Sequence, residues 1–320
     1  MSATATARSS ARRPTPPRRS RAAATGAKKG ALDSRRGAFE RYFAGVLPGA
    51  SRVPQELHEA MRYSALSPGK RLRPMLALAA CEAVGASWTR ALPAAVAVEC
   101  VHAFSLVHDD LPAMDDDDYR RGRLTTHKKF GEALGVLAGD ALLALAFSEL
   151  SRLESRGVPP KQVVEATRVL ARAAGSEELV GGQALDLSAQ GRATSARAVR
   201  EIHLRKTGAL IAAALDLGGI AGGASAAQRR TLARAGRELG LAFQIHDDLL
   251  NRLSSLGRLG KRSGTDEARG KATYPRAVGE ARARLEAARL FQAALGRVLG
   301  LGPKARNLGH VVLAVAERDR

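Results

Sequence analysis

Residues 92–118 read LPAAVAVECVHAFSLVHDDLPAMDDDD, and this stretch joins a long apolar segment to a run of acids. Leu, Ala and Val recur at three- and four-residue spacing up to Val107, which predicts a buried α-helix. Six aspartates then fall within residues 109–118. Like charges so closely spaced repel one another unless cations neutralise them. The stretch therefore predicts a helix that ends in a cation-binding cluster, and the alternative is a solvated acidic loop at a helix end.

The same helical periodicity continues through most of the chain from about residue 37. It covers residues 71–85, 132–153, 161–174, 198–217, 226–253 and 276–300. Alternating β-branched segments, which would indicate strands, are nearly absent. We therefore predict one all-α domain of ten or more helices over residues 37–320. No apolar run reaches the roughly 18 uninterrupted residues of a membrane span, so we expect no transmembrane segment.

Charge is distributed unevenly along the 320 residues. The net charge is +20, and residues 1–36 contribute ten bases and one acid, a net of +9. This segment has no aromatic residue and almost no large apolar one, so we predict a disordered basic tail over residues 1–36. It fits a transit peptide, an arm for nucleic acid or anionic membrane, or a solvated extension without a role. Aromatic platforms for bases are missing, so we expect no specific nucleic-acid partner.

Other compositional features narrow the cellular setting. The two cysteines, Cys81 and Cys100, have no CxxC spacing, which argues against a disulfide framework or a cysteine zinc site. No apolar segment follows the basic N-terminus, so a secretory signal is excluded. We expect a reducing, cytoplasmic location.

The spacing of the first acidic cluster sets a geometric condition for metal binding. Carboxylate oxygens are ligands that Mg²⁺ prefers, particularly when substrate phosphates complete its shell. Asp109 and Asp115 are six residues apart, about 240° on an ideal helix. They can reach one cation only if the helix ends between them, and Pro112 provides such a break.

A second acidic cluster echoes the first one. Ile245-His246-Asp247-Asp248-Leu249 repeats the pattern of Val107-His108-Asp109-Asp110-Leu111. Asp247 and Asn251 lie at i and i+4, on one helix face. Two helices that end in paired carboxylates can face each other across one cavity.

Basic residues accompany both acidic clusters. Arg120, Arg121 and Arg123 follow the first cluster directly, which indicates either a metal-bridged polyphosphate site or local salt bridges. The run Gly69-Lys70-Arg71-Leu72-Arg73-Pro74 precedes a helix, and helix starts with nearby cations bind anions well. His102 lies seven residues before Asp109, on the same helix face.

Seven ordered motifs together resemble the trans-isoprenyl diphosphate synthases, in particular the bacterial farnesyl and geranylgeranyl diphosphate synthase group. The similarity covers roughly residues 38–320. The motifs are Gly69 to Pro74, His108 to Asp118 with Arg120 to Gly122, Leu137 to Leu142, Gly181 to Leu187, Lys206 to Leu210, Phe243 to Asp248, and Gly270 to Pro275.

The resemblance implies a fold and a reaction. The fold is the all-α isoprenoid synthase fold, with helices around a central catalytic cavity and usually two identical subunits. The reaction is prenyl transfer: an allylic diphosphate such as dimethylallyl or geranyl diphosphate ionises, the double bond of isopentenyl diphosphate attacks, and a proton is lost. Mg²⁺, about three ions per active site, and fixed cations neutralise the leaving diphosphate. An apolar cavity keeps water from the carbocation.

The resemblance also assigns residues to roles. It makes Asp109, Asp115 and Asp247 metal ligands, and it places Arg120, Lys206 and Lys261 on the allylic diphosphate. The site for isopentenyl diphosphate is expected to contain Lys70, Arg73, His102 and Arg121. Residues expected to line the reacting carbons are Gln183, Thr207, Phe243 and Gln244.

Product length in this family depends on residues just before the first acidic motif. Phe104 and Ser105 lie five and four residues before Asp109, and a bulky ring there predicts farnesyl diphosphate as the product. Geranylgeranyl diphosphate is the alternative. Asn251 departs from the usual third aspartate of the second motif, so a catalytically weak regulatory subunit of a heteromer is a further alternative from another functional class.

Overall fold

The computed structural model describes residues 19–254 and 271–316, with side chains described for residues 32–252 and 271–316. The chain divides into two compact units, Met1–Ala38 and Phe39–Arg320. Helix α1 spans Arg19–Val46, so residues 19–36 are helical where we expected disorder. Their Ala, Arg and Lys residues have high helix propensity, which accounts for the difference. Residues 1–18 lie outside the described part, and the boundary between tail and domain stays a prediction.

Helices make up nearly all of the described chain, so the predicted all-α fold is confirmed. The α-helices after α1 are α2 (Gln55–Ala65), α3 (Leu72–Ala83), α4 (Leu92–Asp109), α5 (Thr126–Phe130), α6 (Glu132–Ser151), α7 (Pro160–Ala174), α8 (Leu179–Ala189), α9 (Ala196–His203), α10 (Ala209–Gly222), α11 (Ala226–Ser254), α12 (Tyr274–Val278), α13 (Glu280–Leu299) and α14 (Arg306–Ala316). Single 3₁₀ turns occupy Trp88–Ala91, Glu154–Arg156 and Pro303–Ala305, and a π-helical turn occupies Leu204–Gly208.

One short hairpin interrupts the helices. Strands β1 (Tyr119–Arg120) and β2 (Arg123–Leu124) are antiparallel and pair Tyr119 with Leu124. The described part of the chain contains no strands besides these two. A two-stranded hairpin is marginal by itself, so neighbouring side chains must hold it in place.

Helices α4 and α10 form the interior. Both are apolar around most of their circumference, as buried helices are. Helix α4 packs against α3 and α6, and α10 packs against α3, α7 and α11. Helix α11 in turn packs along α13. The C-terminal end of α4 and the C-terminal part of α11, which carry the two acidic motifs, are thereby fixed within one core.

Several glycines permit this close helix packing. A Cβ atom on Gly218 of α10 would collide with the backbone carbonyl oxygen of Ala77 on α3. A Cβ atom on Gly236 of α11 would collide with the backbone of Ala212 on α10. The distance between these helices is therefore set by backbone contacts, and a larger residue cannot be accommodated by rotating a side chain.

Two segments are long and apolar enough, by length and composition, to cross a membrane. They are Trp88–Asp109 and Glu132–Ser151, with 78% and 39% of their apolar windows buried. We expected none, because Asp140 and Asp216 interrupt the two best candidate runs. The first segment lies inside the helical core, where an apolar helix is ordinary. The second, α6, exposes Val136 and Leu137 at 41% and 51%.

Replacing Gly218 by alanine should destabilise the protein. Crowding against Ala77 outweighs the gain in helix propensity, and we expect the melting temperature to fall by about 3–6 °C. Gly296, inside α13, has open space where a Cβ would lie, so Gly296→Ala is the matched control. Thermal unfolding followed by circular dichroism should show Gly296→Ala unchanged or slightly stabilised; equal effects of the two substitutions would contradict this account of the packing.

Candidate active site

The first acidic motif begins where α4 ends, at Asp109. The chain then turns back, and the amide of Asp115 donates a hydrogen bond to the carbonyl oxygen of Asp109 over 2.8 Å. Pro112 lies inside this turn, so the predicted helix break between the two aspartates is confirmed. Burial raises the pKa of the Asp109 carboxyl, and the neighbouring charge of Asp115 raises it further. The turn therefore brings two half-buried carboxylates together.

Three cations, two of them from distant parts of the sequence, oppose this negative charge. Lys206, Arg120 and Lys271 each lower the pKa of Asp109 by electrostatic attraction. The ammonium group of Lys271 lies 3.3 Å from both carboxylate oxygens of Asp115. Burial would lower the pKa of Lys206, but the surrounding carboxylates raise it above its usual value. Lys206 and Arg120, whose pKa values the carboxylates raise, are thus charged at neutral pH beside the aspartate pair.

The second aspartate of the motif is held by protein donors. Asp110 is 3% exposed and accepts hydrogen bonds from Nε of Arg120 at 2.7 and 2.9 Å. Nη2 of Arg120 lies 2.6 Å from the same carboxylate. This is the bidentate geometry of strong arginine–carboxylate pairs. Asp110 consequently fixes the β1 end of the hairpin to the end of α4.

The hairpin turn presents Arg121 in an uncommon backbone conformation. Arg121 and Gly122 both have positive φ, 53° and 77°, as a two-residue hairpin turn of type I′ requires. Nη1 of Arg121 donates to the carbonyl oxygen of Pro68 over 2.8 Å. A Cβ atom on Gly69 would collide with this guanidinium group. The loop before α3 therefore lies directly against the hairpin tip.

Tyr63 of α2 supports the hairpin from the other strand. Its hydroxyl donates to the carbonyl oxygen of Leu124 over 2.8 Å. The guanidinium carbon of Arg123 lies 4.1 Å from the centre of its ring, and the ammonium of Lys129 lies 4.2 Å from it. Cation–π contacts of this kind add modest stability at partly exposed sites.

A cleft of about 490 Å³ lies beside the hairpin, and His102 lines it together with Arg120 and Arg121. Burial lowers the pKa of His102 well below its usual value, and the nearby charges of Arg73 and Arg121 lower it further. His102 is therefore a neutral imidazole among guanidinium groups. Such a cluster is suited to binding a polyanion, since several guanidinium groups converge on one cleft.

A π-helical turn carries Lys206 and Thr207. Lys206 donates to Asp186 of α8 over 2.8 Å, and Thr207 donates to the side-chain oxygen of Gln244 over the same distance. A Cβ on Gly182 would collide with the backbone of Lys206, so α8 approaches the turn closely. Isolated π-turns inside helices occur often at functional sites, because they redirect side chains locally.

The second acidic motif lies on α11. As in the first motif, the second aspartate of its pair is buried and hydrogen-bonded to protein donors. Asp248 is buried and accepts hydrogen bonds from Nε2 of His203 at 2.9 Å, from Gln244 at 3.2 Å and from the amide of Tyr274 at 2.8 Å. Asp247 is half-buried one residue earlier. Because Asp248 holds Tyr274 while nearby Lys271 contacts Asp115, residues 271–274 connect the two motifs.

The residues expected to line the reacting carbons lie on these same elements. Gln183 of α8 is 7% exposed, and its side-chain oxygen has no hydrogen-bond partner among the described residues. Phe243 is half-buried one residue before Gln244, whereas Asn251 is exposed at the other end of the motif.

The two residues predicted to set product length differ in surroundings. Phe104 is 7% exposed, and its ring contacts the His108 ring edge to face, with 4.9 Å between ring centroids. His108 in turn bonds the carbonyl oxygen of Val136 on α6, where Gly139 leaves room for the imidazole. Ser105 is half-buried on the helix face of Asp109. Ser105, rather than Phe104, lies on the helix face of Asp109.

The donor set can be compared with what Mg²⁺ requires. Within residues 19–254 and 271–316, no three carboxyl, imidazole or thiol groups are already gathered in a metal-binding arrangement. Asp109 and Asp115 nevertheless form a carboxylate pair whose charge Lys271 partly balances. Carboxylate oxygens of this kind fit Mg²⁺, which commonly uses one or two protein carboxylates and completes its shell with phosphates and water.

Seven of the predicted site residues thus fall into two neighbouring groups, and their roles stay predictions. The first group contains Asp109, Asp115, Arg120 and Lys206, and the second contains Arg73, His102 and Arg121. Lys261 lies outside the described residues. Sequence reasoning assigned no role to Lys271 or Asp186, although both belong to motifs that it recognised.

Comparisons with known proteins agree with this arrangement. The model of the polyprenyl synthetase family matches residues 54–298. An Arabidopsis thaliana protein, heterodimeric geranylgeranyl pyrophosphate synthase large subunit 1, chloroplastic, is 47% identical over 253 residues, which are 78% of this chain and 68% of the relative.

Two solved structures extend the similarity to the whole fold. A geranylgeranyl pyrophosphate synthetase from Pyrococcus horikoshii has a TM-score of 0.81 at 30% identity, covering 92% of this chain and 100% of the other. An FPP/GFPP synthase from Zymomonas mobilis has a TM-score of 0.79 at 37% identity, covering 89% and 97%. The chain belongs to the polyprenyl synthetase family and is a prenyltransferase.

Proposed function

We propose that this prenyltransferase condenses isopentenyl diphosphate with allylic diphosphates and releases geranylgeranyl diphosphate. The observation that carries the proposal is the half-buried pair Asp109 and Asp115 with Lys206, Lys271 and Arg120 around it. This combination of carboxylates and cations suits a diphosphate that is bound through metal ions and direct ion pairs.

Ionisation of the allylic substrate requires its leaving diphosphate to be neutralised. Lys206, Lys271 and Arg120 supply fixed positive charge to that group, with Lys261 as a further predicted contributor. Asp109, Asp115 and Asp247 would hold Mg²⁺, about three ions in all, which when bound stabilises the charge that develops on the leaving group. Preorganised charges of this kind need no reorganisation during the reaction.

The second diphosphate belongs to isopentenyl diphosphate, and we assign it to Lys70, Arg73, His102 and Arg121. A neutral His102 can donate a hydrogen bond to phosphate without repelling the adjacent guanidinium groups. Thr207, Gln244, Gln183 and Phe243 direct oxygen dipoles and a ring face toward the allylic cation. The released diphosphate accepts the proton that is lost in the last step, so no protein base is required.

The proposal favours the twenty-carbon product over farnesyl diphosphate, our first expectation. The Arabidopsis and Pyrococcus relatives both carry geranylgeranyl in their names. The farnesyl prediction depended on Phe104 as the floor of the cavity, but its ring packs on His108. Ser105, which shares the face of Asp109, is small and leaves room for a longer chain.

Assembly and location are part of the same proposal. We expect a homodimer, and the exposed Val136 and Leu137 of α6 provide an apolar surface for a second copy. The expected cytoplasmic location rests on the sequence alone. The regulatory-subunit alternative is disfavoured, since the first acidic motif and the described cations around it are complete.

Removing the charge of Asp115 should abolish most activity. Asp115→Asn keeps the side-chain volume but removes a carboxylate that would hold Mg²⁺. We expect kcat to fall about 100-fold or more, because the negative charge that develops on the leaving diphosphate would be less well neutralised. The Mg²⁺ concentration for half-maximal activity should rise as well. Asp118→Asn is the matched control, since Asp118 is largely exposed and pairs with Lys128 at 2.9 Å. Steady-state assays that show the same loss in both variants would contradict the assignment of Asp115.

A bulky residue at position 105 should shorten the product. Ser105→Phe adds a ring one turn below Asp109, and we expect the main product to change from twenty to fifteen carbons. Phe104→Leu, at the neighbouring position, should leave product length unchanged. Mass spectrometry of the products decides between them: a shift caused by Phe104→Leu and not by Ser105→Phe would restore Phe104 as the cavity floor.

A further inference from the structure

Arg71 has no role in the proposed reaction, although it lies inside the basic motif at residues 69–74. Its neighbours Lys70 and Arg73 are exposed and half-buried, whereas Arg71 is 5% exposed. A guanidinium group removed from solvent to this degree needs partners within the protein. Arg71 must therefore act differently from the two cations beside it.

The Arg71 side chain joins two other helices to its own loop. Nε donates to Glu40 of α1 over 2.8 Å, and Nη1 donates to Glu99 of α4 over 2.8 Å. Nη2 donates to the carbonyl oxygen of Ser67 over 3.0 Å. Glu99 is itself 4% exposed. The planar guanidinium group is suited to such a fork, and a lysine ammonium cannot reproduce it.

The backbone at Arg71 also points to a positional constraint. Its φ angle is 48°, in the left-handed region that residues other than glycine seldom adopt. Such a conformation costs free energy and persists where surrounding contacts enforce it. At this position the three side-chain hydrogen bonds provide those contacts, and the strained residue directly precedes α3.

The loop held by Arg71 lies next to residues of the site assigned to isopentenyl diphosphate. Lys70 and Arg73 flank Arg71 in sequence. Glu99 lies one helical turn before His102 on α4. The carbonyl oxygen of Pro68, in the same loop, accepts the hydrogen bond from Arg121.

We propose that Arg71 is a positioning residue that assembles the isopentenyl diphosphate site by fixing the loop of residues 67–71 to Glu99 and Glu40. This inference rests on the proposed function of that site. A buried ion pair is weak evidence for stability by itself, because desolvation offsets much of the attraction between the charges. We therefore attribute to the Arg71 hydrogen bonds a positioning effect on Lys70, Arg73, His102 and Arg121 rather than a gain in stability.

The test compares the two substrates in full-length Arg71→Lys, which keeps the charge but loses the fork. We expect the KM and the Kd for isopentenyl diphosphate to rise about tenfold, since small displacements of binding groups weaken binding strongly. The KM for dimethylallyl diphosphate and the kcat should change by less than about twofold. Glu40→Gln alters the less buried partner and should raise the KM for isopentenyl diphosphate by about two- to threefold.

Arg62→Lys is the matched control, because Arg62 donates to backbone carbonyls of Ala44 and Leu47 and lies outside the site. It should leave both KM values unchanged. Calorimetric titration with isopentenyl diphosphate reports binding without turnover. Wild-type protein that binds this ligand but makes no product would contradict the proposed function, while the Kd comparison would still decide the role of Arg71.

Three results would overturn the inference. The first is an equal rise in the KM values of both substrates. The second is a lower melting temperature with both KM values unchanged, which indicates a structural role only, and the third is a wild-type chain that does not bind isopentenyl diphosphate. If Arg71→Lys does not fold, an unchanged KM in Glu40→Gln overturns the inference, and a selective rise supports it.

Discussion

Burial of Asp109 beside Asp115 at the end of an apolar helix is the constraint on which the other features of the site depend. Burial and the neighbouring charge of Asp115 both raise the pKa of Asp109, which favours loss of its charge unless cations compensate. The chain supplies that compensation from three separate places, through Arg120 on the hairpin, Lys206 on the π-helical turn and Lys271 before α12. The fold brings these cations to one point, and the same excess of positive charge is what a diphosphate substrate needs.

The two acidic motifs use equivalent positions in a similar way. In each pair, the second aspartate is buried and held by protein donors: Arg120 for Asp110, and His203 with Tyr274 for Asp248. The first aspartate of each pair, Asp109 or Asp247, is half-buried. The preceding histidines also correspond, since His108 contacts α6 and the ring of His246 lies 6.4 Å from that of Phe291 on α13. In each motif the buried second aspartate thus fixes its helix to neighbouring elements.

Sequence patterns predicted much of this organisation, because helical periodicity and acidic clusters are local signals. We predicted the helix break at Pro112 because Asp109 and Asp115 can reach one cation only if the helix ends between them. Contacts between distant residues were not accessible in this way: Lys271 pairs with Asp115 from 156 residues away. Arg71 could not be told apart from Lys70 and Arg73, since burial is decided by the helices that surround the loop.

The product prediction shows the same limit. Spacing placed Phe104 next to the face of Asp109, but its contact with His108 depends on Gly139 of another helix.

The central claim is that this arrangement makes a prenyl diphosphate from isopentenyl diphosphate. Its most direct test is incubation of the purified protein with radiolabelled isopentenyl diphosphate, an allylic diphosphate and Mg²⁺, with mass analysis of the product. The account predicts Mg²⁺-dependent incorporation into a twenty-carbon diphosphate, and no incorporation with any allylic primer would contradict it.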